Sequence, residues 1–506
     1  MKERRRETLG GDALFQYIGV GAQLFTGMFF YIVIAHLFST DVVGIVSLLI
    51  AIVGLFNMIF SFGLGTASQH FLSYYMGLDD QVHTKSVTKR ILIIGIFLSI
   101  LGLMILFALS PVISVVFLHS TSFVSLVRIL SLVLFGNILY TILNGMLLGL
   151  QRFKVAALMN FIMWSTYYMS AILFSVFFHS LVSMELGWIL GVTIGTVLEL
   201  FLVTISIKTF SSRKERTKKD KIFRYALPVF LASSMGYSAS YADRFIVAGL
   251  MNLSQLGIYN FALLVASTIG IIAFPFNNML LPKFSELFGR GDFNSIKIIS
   301  SISTRLLTSI FAPISLGVVA LSNIVLQFLS GSNSYSYGII PLDIIVLGVS
   351  VFVELNVITQ VLAATKNTRF FIISSSLSLF LNIILSIILV PVLGMTGAAI
   401  GFVSVYALTF FVLRYFAGKS WSLKYDRFPT IKIWVSSLVM FLVMQLIIMF
   451  TSGNADLLPL YILVGAVIYL FVFKLLKIFS KKDQNILLTI LKDNPLLSRI
   501  IVKIIA

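Results

Sequence analysis

Residues 35–46 read AHLFSTDVVGIV, and residues 248–259 read AGLMNLSQLGIY. At a shift of 213 positions Ala35 falls on Ala248, Leu37 on Leu250, Gly44 on Gly257 and Ile45 on Ile258. Each stretch is a short polar break between two apolar runs, so one helix–turn–helix junction occurs twice. FLSYYMG at 71–77 and LPKFSELFG at 281–289 follow in the same order, as do GLQRFK at 149–154 and AATKNT at 363–368. Self-similarity at a fixed long period is the signature of a duplicated architecture.

The solvent of that architecture follows from composition. The 506 residues are 58% hydrophobic and only 11% charged, with a mean hydropathy of +1.03; a soluble chain carries about a quarter charged residues. Successive apolar runs of about 20 residues are long enough to cross the hydrocarbon core as helices. They are continuous rather than alternating, which excludes a membrane β-barrel. The runs predict an all-α polytopic membrane protein with about 14 transmembrane helices, near 15–37, 43–66, 91–118, 123–149, 155–178, 183–207, 225–249, 255–280, 300–329, 337–363, 370–391, 394–413, 433–450 and 457–473. The shift lays helix 1 on helix 7, so two six-helix lobes enter the membrane in the same orientation, and parallel repeats of this kind leave a cavity between them. The expected divisions are a basic N-terminus at 1–14, an N-lobe at 15–207, a basic linker at 208–224, a C-lobe at 225–413, two further helices at 433–473 and a tail at 483–506. That tail is broken by Pro495 and punctuated by Lys492, Arg499 and Lys503, a pattern suited to lying along the membrane surface.

Of the 37 Lys and Arg, all but Arg128, Arg244 and Arg305 fall in alternate inter-helix segments, and the intervening loops have none. Basic residues are retained on the cytoplasmic side, which predicts a multi-pass cell-membrane protein with both termini cytoplasmic. The net charge of +18 then faces anionic inner-leaflet lipids rather than nucleic acid. The absence of cysteine excludes disulfides, thiolate metal sites and cysteine nucleophiles. The five histidines are scattered, and GRG at 289–291 lacks the spacing and the Lys-Ser/Thr of a phosphate-binding loop. No metal or organic cofactor is expected.

IAHLFSTDVVGIVSLLIAI, SFGLGTASQHFLSYY, NGMLLGLQRFKVAALMNFI, YADRFIVAGLMNLSQLGIYNFALLVAS and FPFNNMLLPKFSEL together resemble the polysaccharide-transporter branch of the multidrug/oligosaccharidyl-lipid/polysaccharide exporter superfamily, over roughly residues 10–480. The most specific element is an Asp-basic pair followed by Gly-Ile-Tyr at the start of the next helix, here Asp243, Arg244, Gly257, Ile258 and Tyr259. His36 stands where a basic residue is common. The resemblance implies an O-antigen-type flippase that carries polyprenyl-(pyro)phosphate-linked oligosaccharides from the cytoplasmic to the outer leaflet without covalent chemistry.

The in-membrane polar groups are the candidate sites. Arg244 either reaches the outer headgroups by snorkelling or faces a cavity and meets substrate phosphate, with Asp243 neutralising it when empty. Arg128 and Arg305 read as interfacial anchors or as further bidentate donors to a diphosphate. Gln23, Asn137 and Asn278 are candidates to line a sugar-accommodating cavity. Glu199 and Glu354 lie deep within their helices; each is either a proton or sodium coupling group or the partner of a buried arginine. The competing functions are a cation-coupled multidrug exporter and, with external loops too short for a catalytic site, a membrane glycosyltransferase or polymerase. The expected partners are a lipid-linked oligosaccharide and inner-leaflet lipid, with the monomer as the working unit.

Overall fold

The computed structural model describes residues 21, 23–208, 210, 222–271, 273–365, 369–421, 427–451 and 453–478, so the expected basic N-terminus, most of the linker and the C-terminal tail lie outside the described residues. All regular elements described are helical: α1 (Gln23–Leu37), then α2 (Thr40–Ser61), α3 (Leu64–Gly77), α4 (Gln81–Phe117), α5 (Val124–Gly149), α6 (Phe153–Phe178), α7 (Leu181–Lys208), α8 (Ile222–Leu250), α9 (Leu253–Ile271), α10 (Ala273–Gly289), α11 (Phe293–Ser330), α12 (Ile339–Val351), α13 (Glu354–Ala364), α14 (Arg369–Leu393), α15 (Met395–Trp421), α16 (Arg427–Phe450) and α17 (Leu458–Leu475). Twelve helices among the described residues are long and apolar enough to cross a membrane. The other two expected spans fall at α1 and at α8, whose Asp243, Arg244 and serines lower its hydropathy.

Hydropathy locates the lipid, whereas helical hydrogen bonding stops only where a cap or a backbone reversal stops it. Two expected spans are therefore divided. Helix 2 breaks at Phe62 and Gly63, both left-handed (φ 47° and 68°), and resumes as α3. Helix 10 becomes α12 and α13 about Phe352 and Val353. Other helices overrun the lipid-sized window: α4 starts at Gln81 because Asp80 caps it, accepting from the His83 amide at 3.0 Å. α11 starts in the same way after Asp292, which accepts from the Ser295 amide at 3.0 Å. The residues before these caps, Asp79 and Gly291, are both left-handed (φ 57° and 71°). The two helices have 37 and 38 residues and terminate at left-handed His119 and Gly331 (φ 54° and 67°). These local features recur 212 residues apart, close to the shift of the sequence repeat.

The chain divides into two compact units, 1–257 and 258–506. In the first, α5 is the central helix: 72% of its most apolar window is buried, and it packs against α2, α3, α4 and α7. Lipid tails are as apolar as leucine, so helices associate through close packing rather than the hydrophobic effect. The GVTIG at 191–195 supplies such packing. A Cβ on Gly191 would stand 2.3 Å from the Tyr167 backbone, and one on Gly195 2.6 Å from the Met163 side chain. That glycine face is what lets α7 lie on α6. α8 also packs on α2, α3 and α4, so compactness groups it with the first unit, whereas the repeat groups it with the second copy.

The second unit pairs α14 with α15, α11 with α12 and α16, and α16 with α17. Met440, Met444, Tyr461 and Tyr469 fill the seam of the last two helices, where the Tyr469 hydroxyl donates to the Ser309 carbonyl at 2.7 Å. Only 22% of the apolar window of α14 is buried. Its exposed Ile372, Leu377, Phe380, Ile384 and Ile388 form a lipid-facing surface.

Candidate functional site

Tyr237, Tyr241 and Arg244 occupy positions i, i+4 and i+7 of α8, one stripe of the helix surface. The Arg244 guanidinium carbon lies 4.2 Å from the centre of the Tyr241 ring, and that ring is stacked on Tyr237 at 4.2 Å with the planes 8° apart. The Tyr237 hydroxyl donates to the Ala51 carbonyl of α2 at 3.2 Å. It fits there because residue 54 is glycine; a Cβ would stand 2.0 Å from the tyrosine oxygen. Helical side chains lean toward the helix N-terminus, and this stack carries the guanidinium that way, opposite to the Leu250 end. Asp243, one residue before, is fully buried.

A second aromatic group belongs to the same unit. Tyr168 of α6 packs over Gly27 of α1 and stacks with Trp164. Phe30 sits against Tyr168 and Trp188, and Trp188 stacks on Tyr167 at 5.7 Å. The repeat places Phe30 and Tyr31 opposite Asp243 and Arg244. The first copy thus supplies an aromatic wall where the second supplies charge. Beneath that wall Glu185 is fully buried, and neither of its carboxyl oxygens has a hydrogen-bond partner among the described residues.

Glu199 of α7 is fully buried as well. The Asn144 amide donates to its Oε1 at 2.7 Å, and Oε2 has no partner among the described residues. Asn144 also bonds the Tyr140 side chain, whose hydroxyl donates to Asn160 Oδ1 at 2.8 Å. The chain Asn160–Tyr140–Asn144–Glu199 links α6, α5 and α7 around one carboxyl group. Glu354 is different: it opens α13 and forms an ion pair with Arg414 of α15. The sequence assigned Arg414 to a cytoplasmic segment, but α15 continues to Trp421 and keeps it helical.

The remaining candidates are dispersed. Arg128 of α5 is exposed and reaches α4, with its Nε donating to Ser110 Oγ at 3.3 Å and its guanidinium carbon 5.0 Å from the Phe107 ring centre. The Asn137 amide donates to the Val133 carbonyl of its own helix at 3.1 Å, the satisfied state expected of an isolated amide. Gln23 is half-buried in α1, and Arg305 is half-buried in α11 of the second unit. The Asn278 side chain lies outside the described residues.

Two cavities of the second unit adjoin α16. One, of about 520 Å³, has a polar wall of Thr304, Thr308, Glu354 and Arg414 and an apolar wall that includes Trp434 and Leu438. The other, of about 390 Å³, lies among α11, α16 and α17 and is lined almost wholly by aliphatic and aromatic side chains with Met440 and Met444. Among the described residues no three His, Asp or Glu converge as metal ligands.

A family model described as polysaccharide biosynthesis protein matches residues 33–337, a span that holds both copies of the junction motif, Tyr237, Tyr241 and Arg244. The chain belongs to the polysaccharide biosynthesis protein family. This family member is 25% identical over 411 residues to an uncharacterized membrane protein of Methanocaldococcus jannaschii, covering 77% of this chain and 92% of the relative. Its fold is similar to that of lipid II flippase MurJ in an inward closed conformation, with a TM-score of 0.70 and 21% identity over 91% of this chain and 98% of the other. It is similar, too, to an inward-facing multidrug resistance MATE family transporter of the MOP superfamily, with a TM-score of 0.66 and 15% identity over 79% and 94% of the two chains. The fold is thus shared with these two proteins.

Sequence reasoning missed three parts of the site. Tyr237 and Tyr241 were legible in principle, since their spacing to Arg244 is helical. Arg414 was hidden because a basic residue near a span end reads as a loop residue. Glu185 lies only four residues into its helix, a depth at which hydropathy gives no sign of full burial.

Proposed function

We propose that this family member is a flippase that moves a polyprenyl-(pyro)phosphate-linked oligosaccharide from the cytoplasmic to the outer leaflet by alternating access, as a monomer with both termini cytoplasmic. In this reading fourteen spans form two six-helix lobes, at 15–207 and 225–413, followed by the two helices at 433–473. The observation that carries it is the Arg244–Tyr241–Tyr237 stack. A guanidinium held on an aromatic face and turned back along its helix is poised for phosphate rather than for snorkelling to the nearer headgroups. The family match and the fold likeness to a lipid II flippase support the same cargo class. The apolar cavity among α11, α16 and α17 suits a prenyl tail, because flexible methionines adapt to irregular hydrocarbon. The membrane potential favours outward passage of the anionic head group by about 2.3 kcal/mol per charge per 100 mV.

In liposomes containing a fluorescent polyprenyl-pyrophosphate oligosaccharide, the purified chain should accelerate label exchange between leaflets. No acceleration over a range of such lipids sinks the proposal. Arg244→Gln should slow flipping roughly 10–100-fold, the kinetic equivalent of losing a charge-assisted hydrogen bond of about 1.5–3 kcal/mol. Arg244→Lys should fall between, since it keeps charge but not the planar fork. A wild-type rate for the Gln variant removes Arg244 from the transport path.

Coupling is assigned to Glu199 rather than Glu354, because Glu354 already has a cation at hand while Glu199 has an amide on one oxygen. Imposing a transmembrane pH gradient should change the wild-type rate and leave Glu199→Gln indifferent to it. Equal gradient dependence in both proteins excludes a proton carried at Glu199 and leaves the potential as the driving force.

A further inference from the structure

A third cavity, of about 580 Å³, opens where α11 and α16 end and α12 begins. This is the end of the second unit whose connections, 331–338 and 451–457, contain no Lys or Arg. Its polar lining includes Asn323 and Gln327 from α11, Asp343 from the second turn of α12 and Gln445 from α16, with Phe441 beside them. Asn323 and Gln327 are held as a pair. Asn323 Oδ1 accepts from Gln327 Nε2 at 3.0 Å and from the Ser336 hydroxyl at 2.8 Å. That arrangement spends the Asn323 carbonyl and leaves its amide N–H groups and the Gln327 carbonyl for an occupant. Ser322 serves the Asp343 carboxyl, yet Asp343 Oδ1 is buried with no hydrogen-bond partner among the described residues.

Carboxylates and amides are costly in a membrane-spanning bundle unless they meet one another, water or a ligand. Four of them line one space here, where Asp343 Oδ1 has no partner among the described residues. The chemistry of the set selects the occupant. No lining residue is cationic, so phosphate has nothing to neutralise it and Asp343 repels it. A metal ion would want oxygen ligands throughout, whereas this wall offers amide N–H groups as well. Hydroxyl groups both donate and accept, matching a wall of carboxamides and one carboxylate, and an aromatic ring such as Phe441 gives the apolar face of a pyranose a surface to lie on. The volume falls in the range of about 300–1,000 Å³ typical of small-molecule sites.

We infer that this cavity is a binding site for a neutral saccharide, formed by Asn323, Gln327, Asp343 and Gln445. The inference rests on the flippase reading, in which it is a subsite for the glycan on the side where cargo is released. It adds a recognition site for the sugar separate from the phosphate contact at Arg244.

The test uses the full chain in nanodiscs and saturation-transfer NMR with soluble neutral hexoses, N-acetylhexosamines and their disaccharides as probes. At least one class should receive saturation and be displaced by its own disaccharide. Asp343→Asn and Gln445→Leu should each weaken that binding at least tenfold, while Leu442→Ala, at an exposed position of the same helix, should not. Gln445 is half-buried, and its substitution keeps the fold testable should the α12 variant misfold; thermal melting checks both. No saturation by any probe, or equal saturation in both variants, overturns the proposal. Sodium binding that Asp343→Asn abolishes, in the absence of sugar binding, also overturns it and makes the cavity a cation site. Lipid flipping by the same preparation separates the two claims: flipping without sugar binding defeats the cavity alone, and sugar binding without flipping defeats the flippase reading.

Discussion

Replacing Gly44 or Gly257 by valine should abolish transport and lower the melting temperature of the purified chain sharply. A Cβ on Gly44 would stand 1.8 Å from the Leu253 carbonyl oxygen, and one on Gly257 2.1 Å from the Thr40 carbonyl oxygen. The contact is reciprocal, since residues 253 and 257 are residues 40 and 44 shifted by the 213 of the repeat. Both obstacles are backbone, which cannot swing aside as a side-chain tip can. The first turns of α2 and α9 must therefore separate, and the hydrogen bond between Thr40 Oγ1 and Ser254 Oγ at 2.6 Å is lost with them. Overpacking a tight core typically costs about 1–3 kcal/mol; a branched residue against a carbonyl belongs at the top of that range or above it. The alanine variants should show the same defects in smaller measure. Wild-type melting and flipping in Gly44→Ala would mean that the two motif copies do not cross this closely.

Arg414→Gln and Glu354→Gln should each destabilise the chain by about 3 kcal/mol, near the lower end of what breaking a buried ion pair costs. The lower end applies because the Arg414 and Glu354 side chains keep 29% and 17% exposure. Removing one partner leaves the other charged in a half-buried setting at the wall of the 520 Å³ cavity. The double variant Glu354→Gln/Arg414→Gln should recover much of the loss, since neither charge is then stranded. Thermal melting of the four proteins in one detergent gives the coupling energy directly. Additive losses in the double variant would show that the two groups act independently. A pH-dependent flipping rate that disappears in Glu354→Gln while stability is unchanged would return the coupling role to Glu354.

These two expectations differ in where they come from. Gly44 and Gly257 stood out in the sequence as matching positions of a repeat; their near-collision is a tertiary fact. Glu354 stood out as a deep carboxylate, but its partner did not. Arg414 lies 60 residues away, and nothing in the intervening chain marks the two as neighbours. Arg244 was visible as a charge in an apolar run. Its direction was not, because headgroup and aromatic stack are both chemically reasonable and only the placement of Tyr241 and Tyr237 on the braced face of α8 separates them. The polar cavity at 323–343 was invisible, being made of amides that singly look like ordinary interhelical glue.

By itself the sequence determined the solvent of this protein, the order of its helices and the existence of two copies of one junction. Lipid imposes a single requirement on every span, namely continuous apolar length with the backbone satisfied internally, and a requirement that uniform can be read residue by residue. Only the tertiary structure decided where helices break, which charges are paired and which polar groups share a space. Those depend on how closely glycine faces let helices approach and on contacts between residues far apart in the chain, for which local hydropathy carries no signal.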